Sequence, residues 1–333
     1  MKACLIRKYG NNQVLEYTDK HPVPEIGDHE ILVQMVAASV NPIDWKVMQG
    51  KARLLLKYSF PLILGNDGAG IVSQVGHAVQ GFQPGDAVYF RPGKNRIGTF
   101  AEYCAVDASE ACLKPANLGF EEAAGIPLAG LTAWQALFEI GQLQAGQKVL
   151  IHAGAGGVGS LAIQLARNIG AHVITTCSSR NVELVRSLGA DQVIDYTKED
   201  FSAVLQDVDL VFDTIGGPSL PASFQVLKAG GQLINIQNIP TPESVADYDL
   251  NPLIRILLGL LNRQTTKLAK KHKVNYSYLF MKPSAEQLHQ LKNLIEGGQL
   301  KPVVDRVFPF PQIADAFAYQ QTGRARGKII IKL

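Results

Sequence analysis

Cysteine is scarce in this sequence. Its 333 residues include only Cys4, Cys104, Cys112 and Cys177, no two of them form a Cys-x-x-Cys pair, and no histidine pair at metal-ligand spacing stands nearby. A thiolate-built zinc lobe is excluded on that ground, and the lack of a disulfide framework points to a reducing compartment. Long apolar runs are also missing. No stretch reaches the roughly 18 residues a membrane-spanning helix needs, and the opening MKACLIRKYG lacks the apolar centre of a secretory signal. A cytoplasmic location is expected. Charge of one sign is not in excess: 32 Lys and Arg stand against 29 Asp and Glu, a formal charge of +3, which argues against a nucleic-acid binder. What is abundant is apolar material. At 47% hydrophobic and 18% charged, the chain has enough for a large core, and its length suits two domains.

The first 120 or so residues read as short strands, 30–40, 70–76, 86–90 and 99–106, separated by turn clusters at 24–28, 82–86 and 91–95. That spacing predicts a β-barrel-like domain. Residues 121–141 read as helical, and strands and helices then alternate. Apolar strands are predicted at 148–152, 172–177, 192–196, 209–216 and 231–236, with 274–281 a possible sixth. Such alternation implies a doubly wound parallel sheet, so the fold class is α/β. The closing segments 301–310 and 323–333 are β-like again, which predicts a return to the first domain.

The sharpest motif is VLIHAGAGGVGSLAIQLA over 149–166, with Gly154-x-Gly156-x-x-Gly159 between an apolar strand and an amphipathic helix. Gly154 is expected to allow the tight turn, Gly156 the close approach of a pyrophosphate, and Gly159 the packing of helix on strand. The helix N-terminus offers N–H groups and partial positive charge to phosphates. An NAD site usually carries an acidic residue about 20 positions on. Here the next strand ends in Cys177, Ser178, Ser179 and Arg180, with no carboxylate before Glu183. Hydroxyls and a guanidinium suit a 2′-phosphate, so NADP(H) is the expected cofactor.

With NPIDWK (41–46), PLILGNDGAG (61–70), PGDAVY (84–89), AAGIPLAGLTAW (123–134) and SLGADQVIDY (187–196) in order around that motif, the chain resembles the medium-chain dehydrogenase/reductase superfamily, in its zinc-free quinone oxidoreductase and enone reductase branch. The resemblance implies a GroES-like β-barrel catalytic domain from residues 1–122 and 282–333, a Rossmann NADP-binding domain from 123–281, and a homodimer. Zinc-dependent relatives have Cys where this chain has Asn41 and His where it has Asn66, and the third ligand, also a Cys, is missing from PLAGLTAW. Asp44 and Asp67 read as turn and capping residues.

The same resemblance assigns roles. Asn41, Lys46 and Thr132 lie by the nicotinamide and its ribose. Gly156, Gly157 and Val158 hold the pyrophosphate through their backbone. Ser178, Ser179 and Arg180 face the 2′-phosphate, and Tyr196 lies near the adenosine. Ile215, Phe280 and Met281 line the ribose and carboxamide. Arg326 reaches in from the C-terminal segment, with Arg324 an equal competitor. The implied activity is NADPH-dependent reduction of quinones or α,β-unsaturated carbonyls, with Lys46 or water as proton donor. Two alternatives stand beside it: a zinc-independent alcohol or aldehyde dehydrogenase, and a low-turnover NADPH-binding protein of the crystallin-like or RNA-binding kind. The substrate walls fall in 46–60 and 237–280, and the substrate is a small molecule. LIRILLGLL (253–261) followed by the basic stretch 262–273 is expected to be a core or dimer-interface helix, the other reading being a helix that rests on a membrane surface. His152, at a buried strand end, is expected to be a packing residue.

Overall fold

Proline and glycine cut the first part of the chain into short strands, and the computed structural model, which describes residues 1–248 and 250–333, assigns them as follows. The strands are β1 (Ala3–Ile6), β2 (Glu16–Thr18), β3 (Glu30–Val40), β4 (Leu62–Ile63), β5 (Gly68–Val75), β6 (Ala87–Phe90), β7 (Tyr103–Asp107) and β8 (Ala111–Leu113). A helix that the pattern does not announce, α1 (Pro42–Met48), follows β3 directly. Asn41 stands before its first turn, Pro42 supplies a preset φ at the first helical position, and Asp44 Oδ2 accepts the Asn41 N–H at 2.7 Å. The helix expected over 121–141 is interrupted. It runs as α2 (Phe120–Ala124), breaks at Gly125, restarts at Pro127 as α3 (Pro127–Trp134), and widens into a π-turn over Gln135–Ile140.

The middle of the chain alternates as the sequence predicts: β9 (Lys148–Ile151), α4 (Gly157–Asn168), β10 (His172–Cys177), α5 (Val182–Ser187), β11 (Gln192–Asp195), α6 (Phe201–Val204), β12 (Val208–Asp213), α7 (Ser219–Gln225), β13 (Leu227–Asn235), α8 (Pro252–Leu261), α9 (Arg263–His272) and β14 (Asn275–Tyr278). The end of the chain adds α10 (Ala285–Glu296), β15 (Val304–Pro309), α11 (Ile313–Gln321) and β16 (Lys328–Lys332).

These elements form two units, one from Met1–Leu131 with Lys282–Leu333 and the other from Thr132–Met281. The first junction lies at 131/132, later than the expected 122/123, because α2 and the start of α3 pack with the β-rich unit, where the Leu128 N–H donates to Asp67 Oδ2 at 3.1 Å. In that unit, seven strands form a largely antiparallel sheet ordered β15-β16-β3-β5-β6-β8 with β7 on β3, and β2-β1-β4 form a smaller one. The C-terminal β16 pairs antiparallel with β3, placing Lys328 near the residues that follow Val40. The other unit is a parallel six-stranded sheet ordered β11-β10-β9-β12-β13-β14. The apolar runs of β9, β10, β12 and β13 are buried on both faces, as parallel sheets require.

Candidate active site

The order of strands in the parallel sheet reverses at β9, and this is where crevices form at the carboxyl edges of such sheets. Ala153, directly after β9, carries the left-handed backbone of the turn, with φ 52°. The sequence assigns that task to Gly154, but Gly154 is needed for space: a Cβ there would lie 2.1 Å from Thr175 Oγ1. Gly159 packs as expected, since its Cβ would come 2.4 Å from the Ala153 carbonyl. Gly156 differs from both. A Cβ on it would meet only the Ala153 carbonyl, at 3.2 Å, so its outer side is open. Gly156 also caps α4 without a side chain to accept hydrogen bonds. The first-turn N–H groups of Gly157 and Val158, which have no acceptor inside the helix, are thereby left for a ligand.

The other cofactor residues predicted in this unit gather at the same carboxyl edge. Ser178 and Arg180 follow β10, Ser178 half-buried and Arg180 exposed; Tyr196 follows β11, Ile215 follows β12, and Phe280 and Met281 follow β14. Tyr196 and Ile215 are exposed, and the Ile215 N–H is fixed by Asp213 Oδ1 at 2.9 Å. The Phe280 ring packs edge-on against Tyr248, with centroids 5.0 Å apart. Ser179 is already engaged within the protein. Its hydroxyl donates to Asp195 at the end of β11, a carboxylate that linear spacing does not reveal because it comes from the neighbouring strand. Hydrogen bonds from Ser179 and Thr197 hold the Asp195 carboxyl well below the usual range, and Lys198 Nζ lies 3.4 Å away. Ser178, whose Oγ accepts from Asn181 Nδ2 at 3.3 Å, and the exposed Arg180 stand at the same strand end. His152 is a packing residue: it is buried, its Nδ1 pairs with Thr176 Oγ1 at 3.1 Å, its Nε2 pairs with Ser223 Oγ at 3.0 Å, and burial lowers its pKa. Thr132, on α3, is buried.

In the β-rich unit the NP and GND segments meet in a closed polar cluster. Asn41 Nδ2 donates to Asp67 Oδ1 at 2.8 Å, and Ser39 Oγ donates to the same oxygen at 2.6 Å. Asn66 Nδ2 donates to Asp44 Oδ1 at 2.6 Å. Lys328, two residues past Arg326, closes the cluster: its ammonium donates to Asn41 Oδ1 at 2.5 Å and lies 3.9 Å from Asp67 Oδ2. Arg324 and Arg326 are both exposed. Gly327 lets Lys328 turn inward, with φ 96° and a Cβ position only 2.1 Å from the Val303 carbonyl. Asp44 does cap α1 as expected, but Asp67 is a buried counter-ion rather than a turn residue. Burial pushes the Asp44 carboxyl up to about 7, against hydrogen bonds from Asn66 and Asn41. Burial likewise lowers Lys328, opposed by Asp67 and Asp44. Both ends of the Asn41 amide are engaged here, Nδ2 donating to Ser39 and Asp67 and Oδ1 accepting from Lys328. Lys46, on the half-buried side of α1, has its pKa lowered by burial and then by the charge of Lys51.

The fold is that of a dinucleotide-binding dehydrogenase: a parallel sheet with an open glycine turn at its reversal point, joined to a β-rich unit built from both chain ends. Comparison agrees. Residues 27–139 match the alcohol dehydrogenase GroES-like domain family and residues 188–331 the zinc-binding dehydrogenase family. The chain is 37% identical over 341 residues to the chloroplastic NADPH-dependent alkenal/one oxidoreductase of Arabidopsis thaliana, covering 99% of this chain and 79% of that protein. The structure of the quinone oxidoreductase from Coxiella burnetii superposes with a TM-score of 0.87 at 34% identity, covering 100% of this chain and 99% of that one. The Escherichia coli quinone oxidoreductase complexed with NADPH gives 0.83 at 26% identity, with both chains fully covered. The chain belongs to the medium-chain dehydrogenase/reductase superfamily, in its quinone oxidoreductase and enone reductase branch.

The zinc implied by one family description does not fit these residues. Zinc takes thiolate, imidazole or carboxylate ligands. Here the two ligand positions are amides, Asn41 and Asn66, and the carboxylates beside them are engaged by hydrogen bonds and by the Lys328 ammonium, whose charge opposes a divalent cation. Among the described residues no group of three or more His, Cys, Asp or Glu side chains could hold a metal.

Proposed function

We propose that this protein reduces quinones or α,β-unsaturated carbonyl compounds with NADPH. The observation that carries the reading is the open glycine turn at Gly156–Val158 with Ser178 and Arg180 at the end of the adjoining strand. The names of the relatives, one an NADPH-dependent alkenal/one oxidoreductase and one a quinone oxidoreductase complexed with NADPH, support it. The N–H groups of Gly157 and Val158 hold the pyrophosphate. Ser178 and Arg180 bind the 2′-phosphate by charge-assisted hydrogen bonds, which select against NADH. Tyr196 flanks the adenosine, and Ile215, Phe280 and Met281 line the ribose and carboxamide. Bound NADPH supplies a hydride to the β-carbon of an enone or to a quinone ring, leaving an enolate or hydroquinone anion.

The chain then has two tasks: to stabilise that oxyanion and to deliver one proton to it. Lys46, its ammonium made more acidic by burial, is the candidate donor. A conjugated acceptor suits a site without a Lewis acid, because negative charge spreads onto oxygen as the hydride adds. Assembly as a homodimer follows the branch, and β14 ends the sheet order with an outer edge available for pairing. A cytoplasmic location remains the expectation.

The test is NADPH consumption with a panel of quinones, enones and saturated aldehydes, beside calorimetry of NADPH and NADH. Turnover of quinone or enone is expected, with Arg180→Ala weakening NADPH about tenfold or more and NADH little. Oxidation of NADPH by saturated aldehydes alone would favour the dehydrogenase alternative. Lys46→Met with unchanged rate and unchanged NADPH affinity removes Lys46 from the mechanism.

A further inference from the structure

Helix α8, expected to be a core or dimer-interface helix, is not packed into the core of this chain. Its inner side is narrow, formed by half-buried Ile254 and buried Leu258 and Asn262. Asn262 Nδ2 ties the end of the helix to the Pro240 carbonyl at 2.9 Å, and the Arg255 guanidinium ties its middle to the Ala246 and Tyr248 carbonyls at 2.9 and 3.0 Å. The outer side carries Leu253, Ile256, Leu257, Leu260 and Leu261, exposed by 72%, 60%, 44%, 62% and 51%. Their spacing of three and four makes one apolar stripe.

Helical hydrogen bonds continue through Asn262, whose N–H reaches the Leu258 carbonyl at 3.0 Å and whose carbonyl accepts the Thr266 N–H at 2.9 Å. They lead into α9, where Arg263, Lys267, Lys270 and Lys271 are exposed. Between residues 250 and 285 the sequence holds Arg255, Arg263, Lys267, Lys270, Lys271, Lys273 and Lys282, and no Asp or Glu.

We infer that the α8–α9 face docks on an anionic lipid bilayer, with the α8 stripe in the acyl boundary and the α9 cations at the headgroups. Charge complementarity selects this occupant. A second copy seated on the same face would find no acidic partner on α8 or α9 themselves, which carry no Asp or Glu. A nucleic acid would satisfy the lysines but leave five large apolar side chains against phosphate. An anionic membrane surface takes both halves. The helix lies on the bilayer and does not cross it, for no helix among the described residues is long and apolar enough to span. This inference stands independently of the proposed reduction.

Co-sedimentation of the full chain with phosphatidylcholine vesicles, with and without phosphatidylglycerol, tests it. The chain is expected to pellet with the anionic vesicles, to be released by salt, and to stay in solution with phosphatidylcholine alone. Leu253→Ser/Ile256→Ser/Leu260→Ser and Lys267→Gln/Lys270→Gln/Lys271→Gln are each expected to lower partitioning by about a hundredfold, with thermal melting monitored by circular dichroism to establish folding. Failure to pellet with anionic vesicles, or pelleting retained by both variants, overturns the inference. So does sedimentation velocity showing that the serine variant turns a wild-type dimer into monomers, which makes the face a contact between copies.

Discussion

Lys328 is the residue on which the polar cluster of the β-rich unit turns. Its ammonium is enclosed, its partner Asp67 is wholly buried, and Asn41 is held between them. Removing one member of such a pair leaves an uncompensated buried charge, so Lys328→Met is expected to lower stability by about 3–5 kcal/mol in urea unfolding. Adding Asp67→Asn to that variant should recover much of the loss, because no lone charge then remains. Asp44 makes a prediction about pH. Its carboxyl titrates near 7 when folded and near its ordinary 3.8 when unfolded. Between those values the folded chain binds a proton that the unfolded chain has released. The stability this group contributes is therefore full below about pH 4 and is lost as pH rises toward 7. Urea midpoints across that range should fall less steeply for Asp44→Asn than for the parent chain. Beyond the capping role of Asp44, none of this was legible in the sequence. A lysine at the head of KIIIK reads as a solvated strand end, and its counter-ion lies near the other end of the chain, joined to it only by the pairing of β16 with β3.

At the scale of elements, the strand–turn–helix around Gly154, Gly156 and Gly159 separates two uses of glycine. Gly156→Ala adds a methyl that meets only one carbonyl at 3.2 Å, whereas Gly159→Ala drives one to 2.4 Å from the Ala153 carbonyl. Thermal melting should thus show Gly156→Ala close to the parent and Gly159→Ala markedly less stable, while calorimetry with NADPH should show weakened binding for the still-folded Gly156→Ala. The parallel strands were legible because each is an apolar run closed by glycine or polar residues. β3 was legible to the residue for the same reason. The break in the 121–141 helix was written in Gly125 and Pro127 but masked by continuous apolar helical spacing. The Asp195 carboxylate beside Ser179 was hidden because it depends on which strand neighbours β10, and that is a matter of topology rather than local sequence.

Across the whole molecule, the glycine motif, the strand order β11-β10-β9-β12-β13-β14 and the relatives converge on a reductase that uses a dinucleotide. The two units and the chain's return to the first were visible in the shift from β to alternating β and α and back. The substrate was not visible, because the walls that choose it are side chains from separated loops. The proposed reduction requires that a hydride pass directly from the nicotinamide to carbon of a conjugated acceptor. The direct measurement is NMR of the product formed from a simple enone with NADPH deuterated at the transferable position. Deuterium on the β-carbon of a saturated ketone, and solvent hydrogen on the α-carbon, is the predicted result. Deuterium on the carbonyl carbon of an allylic alcohol, or no labelled product although NADPH is bound, would contradict it.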